Sequence, residues 1–459
     1  MRLLMTTVKW LAGLLALLLI SLAGWLYLAP PDLIRVGSGY SAKIVCSNVF
    51  LAGRNAHDVL AIDVQAPGHP LLRLMRVSVD RQAGTVSAGL FSVLGRSVAV
   101  FRDGLGCASI PDGDVASARA IGGPTLTPAP DPDALWPEGE RVAASQDPAV
   151  RAILDDAALT GPGMRAVVVV SKGRIVGERY GEGFSDKTPL LGWSMTKTVN
   201  AALVGTVVAA GRMSLDEKNL FPAWQADGRA EISVADLMAM SSGLQFNEDY
   251  GDVTDVTRML YLEPDMAGFA AAKPLAGGVG KVFSYSSGTA MMLSRLWQDA
   301  LGSRDEALAW PRVALFDPLG MKSAVLETDE KGTFAGSSYL YATAHDWARF
   351  GQFLLQDGIW NGKRILPEGF TEWMRERTPA SPVYGNGQLW REGPGDENSP
   401  GAGVQAGLPA DTFWLEGHDG QTVAVVPSRQ MVVVRLGLTP SRLGYRPQNM
   451  LAALVEALR

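Results

Sequence analysis

The sequence is poor in the side chains that most often bind metals, and it lacks clustered positive charge. It contains four histidines and two cysteines in 459 residues, and 47 acidic side chains outnumber 41 basic ones. His57, His69 and His345 show no metal-ligand spacing such as His-Glu-x-x-His, so we predict neither a metal site nor another cofactor. No run rich in lysine and arginine interrupts the net charge of −6, which argues against nucleic acid as a partner.

The composition is otherwise that of an ordinary globular protein. Hydrophobic residues make up 47% of the chain and charged residues 19%. A chain of this length has ample material for a large core, and it suggests two or three domains.

Residues 1–31 are predicted to be a membrane anchor. Arg2 and Lys9 precede an uncharged run over residues 10–28, which at about 1.5 Å per residue is long enough to cross a hydrocarbon core of about 30 Å. A cleaved signal peptide is the alternative, although residues 28–31 make a poor cleavage site. In both cases the basic residues stay inside, and we expect the rest of the chain to be exported to a periplasmic or extracellular location.

Residues 32–122 are predicted to form a small β-rich module. Apolar and polar residues alternate over 75–79 and again over 86–90, and the turn-like residues 80–84 between them complete a β-hairpin. A further strand is predicted over 96–101, because an Asp-Gly pair follows it closely.

Both cysteines, Cys46 and Cys107, fall in this module. Thiols of an exported segment most often pair, so we predict a disulfide, with two buried free thiols as the alternative. A bridge that closes a loop of 61 residues would stabilise the module by about 4 kcal/mol in the chain-entropy model.

Residues 123–146 are rich in proline and glycine and lack apolar periodicity, which predicts a linker. The domain of residues 147–459 then opens with a predicted β-hairpin over 164–170 and 174–180. Helices and loops are predicted for the middle of this domain. Strands return near the C-terminus at 412–416, 422–426 and 431–436, and a helix over 447–458 closes the chain.

An N-terminal hairpin and C-terminal strands can share one antiparallel sheet, with the first and last helices packed on its face. The predicted fold class of this domain is therefore α+β, with an antiparallel sheet flanked by helices and a second, mostly helical lobe. A cleft between two such lobes is a usual place for a site.

Ser194 and Lys197 form the motif on which the functional prediction depends. They are three residues apart, so they lie on one face if a helix starts here, and the uncharged residues 198–211 predict a helix buried nearly all round. The helix N-terminus offers N–H groups to an oxyanion, and a desolvated lysine can accept the serine proton. The alternative is a surface serine and lysine on an ordinary helix, since Ser-x-x-Lys arises by chance about once in a chain this long.

Three motifs in this order resemble the serine β-lactamase and penicillin-binding superfamily. They are Ser194-Met195-Thr196-Lys197, Tyr285-Ser286-Ser287 and His418-Asp419-Gly420. Within the superfamily the chain looks most like the class C-type branch that includes 6-aminohexanoate-dimer hydrolases and related esterases. The likeness runs from about residue 147 to the C-terminus, and it implies a β-lactamase/transpeptidase-like fold.

The resemblance also implies catalytic roles. Ser194 would be the nucleophile that forms an acyl-enzyme, and Lys197 would be its base, provided that burial keeps the amine neutral. Tyr285 would relay a proton to the leaving group and share the base role, whereas the alternative is a tyrosine that only packs at a helix start. The backbone N–H groups of Ser194 and Gln421 would form the oxyanion hole.

His418 is a departure from the family pattern. Penicillin-recognising enzymes usually carry lysine at this place, and a mostly neutral histidine would bind a substrate carboxylate less well. Ser287 likewise stands where β-lactamases of this type tend to have asparagine. We predict that His418, Ser287 and Gly420 contact the substrate and that the two departures favour an amidase or esterase. The alternative for His418 is a structural histidine held by backbone groups.

Four acidic residues, Glu248, Asp249, Asp252 and Asp255, crowd a segment that in the resembling family lies near the cleft. We hypothesise that one of them meets a cationic amine on the substrate. A solvated acidic loop is the alternative.

The sequence therefore predicts an exported, membrane-anchored serine hydrolase that cleaves small amides or esters. A second enzyme hypothesis is a β-lactamase or D-amino-acid peptidase. A third is a penicillin-binding-type sensor that does not turn its ligand over.

Overall fold

The computed structural model describes residues 2–124, 133–143 and 147–458. Residues 125–132 and 144–146, which belong to the predicted linker, lie outside the described residues. The helices are α1 (Arg2–Leu28), α2 (Asp32–Leu51), α3 (Ala56–Val59), α4 (Val115–Arg119), α5 (Pro148–Asp155), α6 (Ala157–Thr160), α7 (Thr196–Ala209), α8 (Val234–Met238), α9 (Asp255–Leu262), α10 (Met266–Ala271), α11 (Ser287–Ala300), α12 (Arg304–Trp310), α13 (Asp317–Leu319), α14 (Ala344–Leu355), α15 (Phe370–Arg375), α16 (Ala402–Gln405) and α17 (Pro447–Ala457). The strands are β1 (Met75–Asp80), β2 (Thr85–Leu90), β3 (Leu94–Arg102), β4 (Gly106–Ser109), β5 (Met164–Ser171), β6 (Arg174–Tyr180), β7 (Leu190–Leu191), β8 (Val325–Leu326), β9 (Leu340–Ala342), β10 (Ile359–Trp360), β11 (Lys363–Arg364), β12 (Phe413–Gly417), β13 (Gln421–Val426) and β14 (Met431–Gly437).

The chain divides into two compact units that interleave along the sequence. The first unit comprises residues 1–101, 107–117 and 249–264, and the second comprises residues 102–106, 118–248 and 265–459. The predicted domain boundaries at residues 31, 122 and 146 stay predictions.

Helix α1 is, among the described residues, the one helix long and apolar enough to cross a membrane. Its span over residues 5–28 is not buried against the rest of the protein. This pattern fits the predicted membrane helix, and by length and composition a signal sequence passes the same test.

The first unit contains the predicted β-hairpin. Strands β1 and β2 pair antiparallel with Val77 opposite Ala88, and β3 pairs antiparallel with β2. The sheet has the order β1-β2-β3-β4. Alternation of apolar and polar residues therefore predicted these strands correctly, because one face of the sheet is covered and the other meets water.

The sequence pattern predicts only strands over residues 32–122, but the structure has helix α2 there. Its glycines let neighbouring elements approach closely, since a Cβ on Gly39 would lie 3.0 Å from the Cβ of Tyr261 in α9. Cys46 near the end of α2 is bonded to Cys107 in β4, as the sequence predicts.

The second unit is built on a five-stranded antiparallel sheet of order β12-β13-β14-β5-β6. The predicted strands and the closing helix lie within one residue of their predicted bounds. The N-terminal hairpin and the C-terminal strands share this sheet, and helices α7, α8 and α10 to α13 supply the mostly helical lobe between them, while α9 belongs to the first unit. The α+β fold class is therefore confirmed.

Helices cover both faces of this sheet. Helix α14 packs on β13, β14 and β5, while α5 packs on β6 and contacts α17. The α5 and α17 side has a continuous apolar core that includes Val150, Leu154, Val167, Val169, Trp414, Val433, Met450 and Leu454.

His345 at the start of α14 is a buried ion-pair residue. Its Nε2 lies 2.7 Å from Oε2 of Glu178 and its Nδ1 lies 3.4 Å from Oε2 of Glu140. Burial disfavours the imidazolium, but these two carboxylates outweigh it and raise the pKa of His345 to about 9. The residue therefore joins the segment of residues 133–143 to the sheet.

Candidate active site

Ser194 lies in a tight turn at the start of helix α7. Residues Trp193–Met195 form a 3₁₀ turn, and the α-helix follows from Thr196. Trp193 has a φ of +49°, a left-handed conformation that is unfavourable for a bulky side chain. Strained backbone of this kind collects at functional sites, where the surrounding structure holds it in place.

Strand β12 comes close to this turn. A Cβ placed on Gly417 would lie 2.1 Å from the carbonyl oxygen of Gly192, so a side chain does not fit there. Both β12 and β13 pack against the turn Trp193–Met195. The end of the β12–β13 hairpin therefore lies beside Ser194, where N–H groups of a strand edge can serve an oxyanion hole.

Lys197 is buried next to Ser194. Its Nζ lies 3.0 Å from Oγ of Ser194, 3.1 Å from Oγ of Ser287 and 3.0 Å from the carbonyl oxygen of Ser337. The residue is only 1% exposed. Burial lowers the pKa of Lys197 from 10.5 to about 8, although the charge of Glu248 acts in the opposite direction. A substantial share of the neutral amine is therefore present in weakly alkaline solution.

Glu248 completes the hydrogen-bond network on the other side of Ser287. Its Oε2 accepts from the N–H of Ser287 at 2.7 Å, and its Oε1 accepts from the hydroxyl of Ser287 at 2.5 Å. Because this hydroxyl donates to Glu248, a lone pair of its oxygen is left to accept from Lys197. Burial raises the pKa of Glu248, and Lys197 acts in the opposite direction. Ser287 therefore positions Lys197, and its predicted substrate contact stays a prediction.

The other members of the predicted acidic segment are placed differently. Asp249 and Asp252 are exposed, and Asp255 begins helix α9. Both carboxylate oxygens of Glu248 are already bound to Ser287. The hypothesis that one residue of this segment meets a substrate amine stays a prediction, and the structure adds that Glu248 binds Ser287.

Tyr285 lies over the amine of Lys197. The Nζ of Lys197 is 4.8 Å from the centroid of the Tyr285 ring, and the ring of Trp390 stacks on that of Tyr285 at 5.5 Å. Burial and the charge of Glu248 raise the pKa of Tyr285, while a hydrogen bond with Ser194 acts in the opposite direction. The raised pKa favours the neutral phenol, which is the form that can relay a proton, and the predicted roles of Tyr285 stay predictions.

A further carboxyl group lies near Tyr285, and the sequence motifs did not indicate it. Glu416 on β12 has a fully enclosed Oε1 with no hydrogen-bond partner among the described residues. Its charge raises the pKa of both Tyr285 and Tyr384. Burial raises the pKa of Glu416 well above 4.5, and Glu397 and Asp396 add to this effect. Within the part of the chain that the structure describes, no basic group lowers the pKa of this carboxyl.

The remaining predicted substrate residues lie at the end of the β12–β13 hairpin. The ring of His418 packs edge-on against that of Trp193, with centroids 5.7 Å apart, and its side chain is 47% exposed. His418 is therefore available to solvent close to the Ser194 turn. The carbonyl oxygen of Gly420 accepts from Nη1 of Arg435 at 2.9 Å, so this glycine is tied into the sheet. Substrate contacts of His418 and Gly420 stay predictions.

Gln421 has its side chain turned into the sheet. Its Nε2 donates to the carbonyl oxygen of Gly437 at 2.5 Å, and its Oε1 accepts from the N–H of Gly437 at 2.8 Å. The side chain is therefore committed to holding the hairpin. Only the backbone N–H of Gln421 could take the predicted oxyanion role.

Comparison with known proteins assigns this arrangement to a family. The family model described as Beta-lactamase matches residues 155–454. The chain belongs to the β-lactamase family. The match covers all of the motif residues that the sequence analysis singled out in the second unit.

Individual members of the β-lactamase family are distant from this chain. The 6-aminohexanoate-dimer hydrolase of Paenarthrobacter ureafaciens is 24% identical over 60% of this chain and 72% of its own length. A Bacillus anthracis structure assigned as a 6-aminohexanoate-dimer hydrolase is 23% identical, with a TM-score of 0.54 over 72% of this chain and 88% of that chain. A class C β-lactamase has a TM-score of 0.51 at 17% identity, over 69% of this chain and 99% of that one.

The family membership makes this chain a serine hydrolase, as the sequence predicts. The structure brings Ser194, Lys197, Tyr285 and Ser287 together. Sequence reasoning missed the carbonyl of Ser337, because a backbone acceptor carries no residue signature. The roles of the individual side chains are proposals, which follow below.

Proposed function

We propose that this β-lactamase-family enzyme cleaves small amides or esters through an acyl-enzyme on Ser194. The observation that carries the proposal is the contact of 3.0 Å between Nζ of Lys197 and Oγ of Ser194. The amine is buried, its pKa is lowered to about 8, and its other contacts hold it in this position. A serine hydroxyl becomes a competent nucleophile when an adjacent neutral base takes its proton.

The reaction has two halves. In acylation, Lys197 takes the proton of Ser194 while Oγ attacks the carbonyl carbon, and the bond to the leaving amine or alcohol then breaks. The leaving group receives a proton through the neutral phenol of Tyr285. In deacylation, water loses a proton to the same base while its oxygen attacks the acyl carbon. The bond from that carbon to Oγ of Ser194 then breaks to release the acid, and Lys197 returns the proton to Oγ. N–H groups of Ser194 and of the hairpin end at Gln421 would hold the oxyanion, and one such donor is typically worth about 3 kcal/mol.

The proposed substrate preference is inferred from the residues around Ser194. His418 stands where penicillin-recognising enzymes usually carry a lysine, and Ser287 is occupied by Lys197 and Glu248. The relative from Paenarthrobacter ureafaciens is named as a hydrolase of a 6-aminohexanoate dimer. These features support a linear amide or ester substrate over a β-lactam.

The location of the enzyme is also part of the proposal. Helix α1 would anchor the chain in a membrane, with the catalytic unit exported to the periplasm or the cell exterior. The disulfide between Cys46 and Cys107 supports an oxidising compartment.

Hydrolysis of p-nitrophenyl butyrate by the full chain and by its Ser194→Ala and Lys197→Met variants tests this function. We expect both variants to lose at least about 10³-fold in kcat, since nucleophile and base act as a unit. Turnover in Ser194→Ala equal to that of the unaltered chain would overturn the proposal. Faster hydrolysis of nitrocefin than of a linear amide would instead indicate a β-lactamase, and a stable acyl-enzyme without turnover would indicate a sensor.

A further inference from the structure

We propose that the first compact unit makes a second, peripheral contact with the membrane, beside helix α1. The contact is an interfacial patch of three apolar side chains and three arginines: Leu74, Phe91, Val93, Arg73, Arg76 and Arg96. Its ligand is the headgroup layer of a bilayer that contains anionic phospholipids. The inference rests on the proposed insertion of α1.

The apolar part of the interfacial patch is a tight turn whose side chains lie in solvent. Phe91 and Val93 are 56% and 54% exposed, and Leu74 is 38% exposed. Phe91 and Ser92 have φ values of +51° and +72°, as in the two-residue turns that fix hairpin geometry. The N–H of Phe91 donates to the carbonyl of Leu74 at 3.1 Å, which brings Leu74 beside the turn. Contiguous exposed apolar side chains of this kind mark interaction sites.

The turn lies next to the end of the candidate membrane helix. Helix α1 ends at Leu28. A Cβ placed on Gly95 would lie 3.3 Å from Cβ of Pro30 and 2.6 Å from Cγ2 of Ile34. The hydroxyl of Ser38 also donates to the carbonyl of Gly95 at 2.5 Å. The β2–β3 turn is therefore packed against the first residues that follow α1, at the depth where a bilayer has its headgroups.

The charged part of the interfacial patch is complementary to anionic lipid. Arg76 on β1 is paired with Gly89 on β2, so the two residues face the same side of the sheet. A Cβ placed on Gly89 would lie 3.2 Å from Cγ of Arg96. Arg76 and Arg96 therefore share one side of the sheet. Nη1 of Arg76 also donates to the carbonyl of Arg73 at 3.0 Å. Among the described residues the side chain of Arg76 contacts backbone carbonyls and that of Arg96 contacts Ser87, rather than carboxylates. Each exposed basic group strengthens binding to an anionic surface by about fivefold.

The apolar and charged parts together distinguish this surface from an ordinary exposed turn. An interfacial segment places aromatic and aliphatic side chains at the boundary of the acyl chains, and its arginines meet lipid phosphates. Helix α1 tethers the turn close to the membrane, so the effective concentration of the turn at the bilayer surface is high. Even a weak contact between the turn and the lipid would therefore be formed most of the time. The patch would then fix the orientation of the first unit on the membrane.

An environment-sensitive fluorophore on the full chain tests the contact. Both native cysteines are in a disulfide, so a single added cysteine can be labelled selectively. The test position is Val93→Cys, and the matched control is Gln82→Cys in the turn at the other end of the β1–β2 hairpin, about 20 Å away for strands of this length. Both variants are reconstituted in vesicles of phosphatidylcholine with phosphatidylglycerol, and quenching by aqueous iodide and by lipid-borne nitroxide is measured.

We expect the label at position 93 to be shielded from iodide and quenched by the lipid nitroxide, whereas the label at position 82 shows the opposite. Replacing Arg73, Arg76 and Arg96 by glutamine should abolish the difference between anionic and neutral vesicles at position 93. Equal iodide quenching at the two positions would overturn the inference. Failure of the chain to float with the vesicles would instead refute the anchor, which separates the two proposals.

Hydrogen exchange of the unaltered chain gives a second readout that needs no substitution. Amides of residues 91–94 should exchange several-fold more slowly in anionic than in neutral vesicles, while those of residues 81–84 should not change. Identical exchange of residues 91–94 in both vesicle types would contradict the inference.

Discussion

Two opposing effects set the pKa of Lys197. Burial removes the water that would stabilise its ammonium form, and the carboxylate of Glu248 behind Ser287 restores part of that stabilisation. The resulting pKa of about 8 is low for a lysine and close to the working range of a general base. The two groups interact, so the titration belongs to the pair.

The first prediction concerns the pH dependence of catalysis. Because the neutral amine of Lys197 is the active form, kcat/KM for p-nitrophenyl butyrate should rise with pH through a midpoint near 8. Glu248→Gln removes the carboxylate that stabilises the ammonium, so the midpoint should move to lower pH. Stopped-flow or steady-state rates between pH 5 and pH 10 give both midpoints.

Asp252→Asn is the matched control, since it removes an exposed carboxylate from the same segment. This variant should keep the midpoint of the unaltered chain. A midpoint that rises or stays the same in Glu248→Gln would refute the assigned role of Glu248.

The second prediction concerns Glu416 and stability. The pKa of Glu416 in the folded chain lies well above 4.5. The folded chain therefore binds the proton of this carboxyl more tightly than the unfolded chain does, and the free energy of unfolding falls as the pH rises and the carboxyl ionises. Glu416→Gln cannot ionise. Its Tm should therefore exceed that of the unaltered chain by more at pH 8 than at pH 5, as measured by differential scanning calorimetry. A Tm difference that shrinks with rising pH would show that the folded chain stabilises the ionised carboxylate of Glu416.

At the residue scale, the sequence predicted side chains that carry a motif and missed those defined by their surroundings. Ser194 and Lys197 are three residues apart, so their contact follows from helix geometry. Glu248 was singled out only as one of four acidic residues, and its contact with Ser287 could not be predicted, since Ser287 lies 39 residues away and only the fold brings the two together. Glu416 is a lone glutamate at a strand end, a pattern that usually indicates a solvent-facing side chain.

At the scale of elements, the close approach of β12 to the Ser194 turn depends on Gly417. The third prediction is that Gly417→Ala lowers kcat by about 10²-fold, because displacements of about 1 Å at reacting groups cost this much. A Cβ there would lie 2.1 Å from the carbonyl oxygen of Gly192, so the strand and the turn must move apart. Ester hydrolysis with circular dichroism as a check on folding measures the effect.

Gly122→Ala is the control for this substitution. No atom of the described residues lies within 4 Å of a Cβ placed on Gly122, so kcat and Tm should stay unchanged. An unimpaired kcat in a folded Gly417→Ala variant would mean that the hairpin end does not contribute to the reaction.

Elements were predictable where their pattern is local. The apolar runs of β5 and β14 and the alternation in β1 and β2 identify strands directly. Helix α2 escaped prediction because Gly37 and Gly39 lower its intrinsic helix propensity. These glycines instead permit close packing, and tertiary contacts supply most of the stability of such a helix.

At the scale of the whole molecule, the disulfide is the covalent constraint on the first unit. The fourth prediction is that replacing both Cys46 and Cys107 by serine lowers the free energy of unfolding of this unit by about 4 kcal/mol, from the loop of 61 residues that the bridge closes. Urea unfolding followed by hydrogen exchange of residues 75–90 measures the loss. An unchanged unfolding midpoint for these residues would show that the packing of α2 alone holds the unit.

Only part of the organisation of the whole chain could be predicted from the sequence. Sequence composition separates the apolar N-terminus and the proline-rich linker from the rest. It does not show that residues 249–264 belong to the first unit, because the acidic side chains of this segment do not indicate which unit it packs against. Contacts such as that between Gly39 and Tyr261 are long-range and leave no local signature.

The central claim is that Ser194 is a nucleophile activated by buried Lys197. Labelling the full chain with a fluorophosphonate and mapping the adduct by peptide mass spectrometry tests this most directly. We predict one adduct, on Ser194, formed much more slowly in Lys197→Met and faster as the pH rises towards 8. An adduct on a different residue, or a labelling rate that does not depend on Lys197, would contradict the account.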